Sequence, residues 1–282
     1  MLAFRQAAEF GQKNSARGGV MTRLLLGIAL SALTIGSALA ADLPVKARPV
    51  VVPLISWTGF YVGVNVGGHW ASDDITTAAN PVGWGAAAAA EINARSAASI
   101  RTTGVIAGAQ LGYNWQTNNW VWGLEADANW LSGTARRTLV YTGAVNFNPA
   151  DAMTNATRLQ FLATVRGRIG IVANQALIYA TGGLAIGSIE ATDTFCSFGC
   201  PGTAATNASV SATTTRFGWT LGGGVEYRIS TNYSVKAEYL YVDLGSFSTN
   251  IPSCTACAVG SNIGVNHSVT DHIARAGLNY RF

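Results

Sequence analysis

The chain has 282 residues, 49% of them apolar and only 11% charged, with a mean hydropathy of +0.25; it is too hydrophobic for a disordered chain and too weakly charged for a nucleic-acid-binding one. Its 32 glycines and 10% aromatics suit short strands and turns better than a helical bundle. The pI near 9.0 does not imply a basic partner-binding surface: Arg5, Lys13, Arg17 and Arg23 precede a predicted cleavage site, and the 14 basic and 13 acidic residues beyond it leave a net charge of +1, so no nucleic-acid partner is expected.

Residues 1–20 carry Glu9 and no long apolar stretch, and read as an upstream extension without structure. Residues 21–40 read as a secretory signal peptide: Met21-Thr-Arg, an apolar run from Leu24 to Leu39, and Ala38-Leu39-Ala40 ahead of Ala41. The run is rich in small side chains and too short for a membrane anchor. Residues 41–56, with Pro44, Pro49 and Pro53, read as an extended periplasmic linker, and 57–282 as one barrel domain.

From Phe60 onward apolar and polar residues alternate with the period of a strand. Phe60, Val62, Val64 and Val66 share one face, and Tyr61, Gly63, Asn65 and Gly67 the other. The same pattern runs through 104–115, 120–130 and 158–171, with four further strands at about 176–189, 215–229, 233–244 and 268–282. Tight turns are predicted at Gln116–Asn119, Val172–Gln175 and Ser230–Asn232, and long loops near 71–100, 132–156, 190–213 and 245–267. Eight strands with short connections at one end and long ones at the other predict an all-β, eight-stranded antiparallel up-and-down transmembrane β-barrel with both termini in the periplasm.

A soluble eight-stranded barrel would be apolar inside and charged outside. Here Glu125, Asp127, Arg166, Arg168, Glu226, Arg228, Lys236, Glu238, Arg275 and Arg281 all lie opposite aromatic and aliphatic residues. Trp115, Trp120, Trp122, Tyr227, Tyr233, Tyr280 and Phe282 fall at the turn ends, and Trp70, Trp130, Phe217 and Trp219 at the loop ends, as two interfacial girdles require. Outer-membrane lipid and lipopolysaccharide are the partners this geometry predicts.

The chain resembles the small outer-membrane β-barrel, porin-like proteins of alphaproteobacteria such as Brucella and Rhizobium. The resemblance rests on Ala40-Ala-Asp-Leu-Pro44, Trp57-Thr-Gly-Phe-Tyr-Val-Gly63, Gly104-Val-Ile-Ala-Gly-Ala-Gln-Leu-Gly-Tyr113, Tyr179-Ala-Thr-Gly-Gly-Leu-Ala185, Lys236-Ala-Glu-Tyr-Leu-Tyr241 and Gly277-Leu-Asn-Tyr-Arg-Phe282. It covers the whole mature chain. It implies that terminal Phe282 belongs to the signal read by the barrel assembly machinery.

An eight-stranded barrel has an interior about filled by side chains, where unpaired charge is costly. Glu125 and Asp127 beside Arg166 and Arg168, and Glu226 and Arg228 facing Lys236 and Glu238, predict an interstrand ion-pair network that plugs the lumen, joined by Arg275 and Arg281. The protein is then a structural anchor for surface loops that supports envelope integrity. The alternatives are a narrow diffusion channel lined by the same charges, or a haem- or ligand-binding surface receptor. Ala86 to Ser99 is alanine-rich with Glu91 and Arg95 four apart, a spacing that suits a short helix.

No cofactor, metal or enzymatic activity is expected. Cys196, Cys200, Cys254 and Cys257 all lie in predicted loops, and in an exported protein they imply disulfides, with Cys196–Cys200 and Cys254–Cys257 the favoured pairs and a four-thiolate zinc site the alternative. His69, His267 and His272 read as rim histidines, with haem or metal contact the alternative. Asp73, Asp74, His69 and Asp271 could be grouped like the rim sites of barrel hydrolases, but no spaced nucleophile signature accompanies them. The sequence leaves the oligomeric state open.

Overall fold

The computed structural model describes residues 56–141, 147, 151–196, 207–253 and 258–282. The upstream extension, the signal peptide, residues 41–55 of the linker, and Cys200, Cys254 and Cys257 lie outside the described residues. Nine strands form one antiparallel sheet: β1 (Gly59–Ala79), β2 (Ala98–Thr117), β3 (Trp120–Leu131), β4 (Ala135–Val140), β5 (Ala152–Ala173), β6 (Ala176–Cys196), β7 (Asn207–Arg228), β8 (Tyr233–Ile251) and β9 (Ile263–Arg281). β1 pairs with β2 and β9, β2 with β3, and from β4 to β9 each strand pairs with the next; β3 pairs with β5, which closes the ring. β3 and β4 both run along β5, at Phe161–Ile171 and Ala152–Thr157. They are two parts of one stave, so the barrel has the predicted eight staves, the third broken at Ser132–Thr134.

Two of the turns are set by asparagine. Asn118 and Asn174 both have φ of 56°, the left-handed conformation that two-residue hairpins need and that asparagine tolerates.

The strands are longer than their sequence pattern indicates. The stretches read as loops at 71–100, 190–213 and 245–267 begin and end in strand, at 71–79 and 98–100, 190–196 and 207–213, and 245–251 and 263–267, and part of 132–156 is β4 and the start of β5. The cause is a change of solvent along each stave. From Phe60 to Trp70, eleven residues, the outward positions of β1 are Phe60, Val62, Val64, Val66, Gly68 and Trp70, enough to cross a hydrocarbon layer when tilted. Beyond the girdle formed by Trp70, Trp130, Phe161, Phe217 and Trp219, the outward residues become Thr76 on β1, Ser248 and Asn250 on β8, and Thr192 and Thr194 on β6. Hydroxyl ladders such as Thr192–Ser211 (3.1 Å) and Thr194–Ser209 (2.9 Å) decorate this wet outer wall. Its interior is an apolar core of Ile75, Ile92, Ile100, Tyr141, Met153, Phe195, Ile251, Ile263 and Val265. Parity is thus that of a membrane barrel below the girdle and of a soluble barrel above it.

Two helices follow β1: α1 (Pro81–Trp84), capped by Asn80, whose side chain accepts from the Val82 amide, and α2 (Ala86–Ser96). α2 is the helix the alanine-rich stretch suits; Arg95 Nε lies 3.1 Å from Glu91 Oε1, and Ala89 and Ile92 pack into the upper core. Cys196, at the upper end of β6, is disulfide-bonded.

Candidate functional site: the filled lumen

Inward positions recur every second residue, so charges two apart on one strand project into the lumen one above the other. β3 supplies Glu125 and Asp127, β5 Arg166 and Arg168, β7 Glu226, β8 Lys236 and Glu238, and β9 Arg275. All eight are buried. Arg166 sits at the centre, with Nη2 2.5 Å from Glu125 Oε1 and 2.8 Å from Asp127 Oδ2, and Nη1 3.0 Å from Glu238 Oε1. Arg275 donates to Asp127 (3.0 Å) and Glu238 (2.6 Å), Lys236 to Glu125 (2.9 Å), and Arg168 to Glu226 (2.8 Å). Tyr61 donates to Glu125 (2.7 Å) and Tyr179 to Glu238 (3.0 Å). Four carboxylates meet four cations, so the cluster is formally neutral.

The sequence pattern predicts two interstrand sets, and the side chains instead form one network across the barrel. Glu226 and Lys236 are register neighbours, yet Lys236 reaches to the opposite wall for Glu125, and Arg166 crosses to Glu238. Arg228 is not part of it. Lying nearer the periplasmic rim, half-buried, it donates to the Ser56 carbonyl (2.6 Å) and packs over the Trp57 ring at 5.1 Å. Arg281 borders both regions, 4.0 Å from Glu226 and 4.7 Å from the Trp57 ring. Two glycines make room for the arginines: Gly183 lies across from Arg166 and Gly67 across from Arg275, and a Cβ at Gly67 would stand 2.7 Å from the Arg275 Cβ.

Apolar layers lie on both sides of the charges. Toward the periplasm, Trp57 is fully buried with Val121, Leu177 and Tyr179, and its amide donates to Gln116 Oε1 (2.6 Å). Toward the outside lie Ile106, Leu131, Leu162, Ile189, Leu240, Val242, Leu244 and Ile273. Several of the buried polar atoms without a partner among the described residues, Asn114 Nδ2 and Oδ1, Arg168 Nε and Trp57 Nε1 among them, lie at the periplasmic side of the network; others, such as Asp73 Oδ1 and Trp84 Nε1, lie higher in the barrel.

Sequence reasoning missed the Trp57 layer, the outer apolar layer and a second charged cluster higher up. His267 is not a rim histidine: it is buried between two carboxylates, Nδ1 2.7 Å from Asp73 Oδ2 and Nε2 3.0 Å from Asp193 Oδ2. Thr157 donates to Asp73 (2.6 Å), and Thr249 and Asn155 donate to Asp193 (2.6 and 2.7 Å). This cluster lies above the girdle, outside the membrane. Burial disfavours the imidazolium, but the bonds to Asp193 and Asp73 and their charges outweigh it and raise the His267 pKa from 6.5 to about 9. Burial likewise opposes the Asp193 carboxylate, and the His267 contact prevails and lowers its pKa. The inward parity His267 shares with Val265 and Val269 was the signal available in the sequence.

His69 and His272 point to opposite sides of the wall, as their parity predicts. His69 is buried, with Nδ1 3.1 Å from Asp271 Oδ2 and Nε2 donating to the Ser132 carbonyl (2.7 Å). His272 is exposed and bonded to the Tyr239 hydroxyl (2.6 Å). Asp73 belongs to the His267 cluster, so the grouping of Asp73, Asp74, His69 and Asp271 does not form.

The membrane-facing wall fits the lumen. Phe60, Trp120, Trp122, Tyr227, Tyr233, Tyr280 and Phe282 are exposed at the turn end, where Phe282 packs on Phe60 (5.6 Å) and Tyr280 (5.1 Å). A closed sheet with a greasy belt, two aromatic girdles and a charged, filled interior is the architecture of an outer-membrane barrel, and the model of the outer membrane protein beta-barrel domain matches residues 28–282. The chain belongs to that family. The 31 kDa outer-membrane immunogenic protein of Brucella melitensis is 33% identical over 90% of this chain and 97% of its own length. The 22 kDa outer membrane protein of Rhizobium leguminosarum is 28% identical over 73% of this chain and 71% of its own length. Among solved structures, the outer membrane protein OprG of Pseudomonas aeruginosa gives a TM-score of 0.44 at 12% identity, covering 80% of this chain and 96% of that one. The outer membrane protease OmpT of Escherichia coli gives 0.45 at 11% identity, covering 79% and 97%. This barrel is a protein of the Gram-negative outer membrane.

Proposed function

We propose that the barrel is a structural outer-membrane scaffold, closed to solutes, that anchors its extracellular extension and supports the envelope. The observation that carries this reading is the lumen, where eight paired charges at mid-membrane lie between a layer built on Trp57 and a layer built on Leu240, Val242 and Ile273. An ion crossing the barrel would have to displace Arg166 from three carboxylates and then pass an apolar layer. Catalysis is not part of the reading: both His69 nitrogens are engaged, which leaves it no acceptor for a nucleophile's proton. The exposed aromatic end at Tyr280 and Phe282 is a surface the assembly machinery could read, and we propose it as that signal.

The test is planar-bilayer conductance of the purified, refolded protein. The scaffold reading predicts no stable unitary currents. Steady channels with ohmic conductance would establish the narrow-pore alternative instead.

A further inference from the structure

Nearly every cation in the described structure has a partner. Arg166, Arg168, Lys236 and Arg275 are paired in the lumen, Arg228 and Arg281 reach the Ser56 carbonyl, Arg216 reaches the Ser246 carbonyl, Arg137 the Ser96 carbonyl, and Arg95 pairs with Glu91. Among the described residues, the side chains of Arg101, Arg136 and Arg158 form no hydrogen bond or ion pair, and all three are exposed.

Their placement is shared. Arg101 has the outward parity of Val105 on β2 and stands two residues beyond Thr103, the register partner of girdle residue Trp70. Arg158 stands on β5 just past the bulge at Leu159/Phe161, above the girdle pair Trp130–Phe161. Arg136 lies on β4 opposite Ala156, one row higher on the neighbouring stave. A two-residue step along a strand is about 7 Å, and the headgroup layer on each side of a bilayer is roughly 5–8 Å deep. Arg101 and Arg158 therefore stand at headgroup depth and Arg136 one row further out, on adjacent staves β2, β4 and β5. Two acidic side chains share this wall. Asp74 is exposed diagonally from Arg101, and Glu190, opposite Arg158, accepts from Gln160 (2.5 Å). Neither makes an ion pair with the three arginines within 4.0 Å.

We propose that Arg101, Arg136 and Arg158 form a binding site for the phosphate groups of an outer-leaflet glycolipid. Guanidinium groups bind phosphate oxygens through paired N–H donors, and these three exposed arginines face the anionic layer of the outer leaflet with no protein acceptor bonded to them. The lipid tails would lie against the Trp130, Phe161 and Val165 face directly below.

The experiment uses the full mature chain in detergent micelles, titrated with bis-phosphorylated lipid A, with the same lipid after dephosphorylation, and with inorganic phosphate. The wild type should prefer the phosphorylated lipid, and inorganic phosphate at millimolar concentration should not compete. The Arg101→Gln/Arg136→Gln/Arg158→Gln variant should bind the phosphorylated lipid about a hundredfold more weakly, at about fivefold per arginine, and lose the preference. The corresponding triple lysine variant should keep most of it. Heat-modifiability on gels checks that each variant is folded. Equal binding of both lipids by the wild type, binding by the glutamine variant within twofold of the wild type, or full competition by inorganic phosphate would overturn the proposal.

Discussion

Arg166→Met removes the hub of the lumen network while nearly preserving volume. Arg166 contacts Glu125, Asp127 and Glu238 at 2.5, 2.8 and 3.0 Å, and all four side chains are buried. Without it, four carboxylates face Arg168, Lys236 and Arg275, and the enclosed lumen carries one uncompensated negative charge. Breaking a buried pair by removing one partner costs about 3–5 kcal/mol, far above the 0–1 kcal/mol typical of a solvated pair. Urea unfolding of the refolded protein in vesicles, followed by tryptophan fluorescence, should show a loss in that range. Adding Glu125→Gln restores formal neutrality and should recover at least about 1 kcal/mol, a coupling of the size seen within one charged network. A loss under about 1 kcal/mol for Arg166→Met, with no recovery in the double variant, would mean that water already screens these charges and that the lumen is not closed.

Two further outcomes follow from other layers. The His267 cluster makes the extracellular extension sensitive to base: since the folded protein holds the His267 proton up to about pH 9 while an unfolded histidine releases it near 6.5, the stabilisation is complete below about pH 6.5 and is lost as pH rises through 9. Amide protection factors in the upper halves of β1, β6 and β9, taken relative to the base-catalysed intrinsic exchange rate at each pH, should therefore fall over that interval in the wild type but not in His267→Gln. Trp57→Ala should open only the periplasmic vestibule: a cysteine placed at Asn114 becomes reactive toward a small charged thiol reagent, while the bilayer remains electrically silent because the outer apolar layer is intact.

The barrel was legible because a strand in lipid has a strict rule, and Val62, Val64 and Val66 against Gly63 and Asn65 obey it without exception. The lumen charges could be found by the same parity. Their partners could not, since Lys236 and Arg166 have side chains long enough to cross the barrel and no sequence spacing encodes which opposite wall they reach. Arg228 shows the same limit in reverse: its parity is inward, but it lies one row too near the rim and Trp57 claims it. The extracellular extension was misread because its outward serines, threonines and asparagines look like loop. Only pairing across strands, as in Thr192–Ser211, reveals a sheet whose solvent has changed from lipid to water. Trp57 was passed over because it precedes the first strand and its burial depends on Arg228 and Arg281, far along the chain.

The proposal of a closed lumen is tested most directly by single cysteines on the two faces of the barrel wall at similar depth. Ala109 belongs to the lipid-facing parity of β2, whereas Thr164 on β5 is buried and bonded to Asp127 (2.7 Å). In intact proteoliposomes, Ala109→Cys should react with a membrane-permeant maleimide and not with a charged methanethiosulfonate, and Thr164→Cys should react with neither until the protein is unfolded. Rapid modification of Thr164→Cys in the folded barrel by the charged reagent would contradict the account.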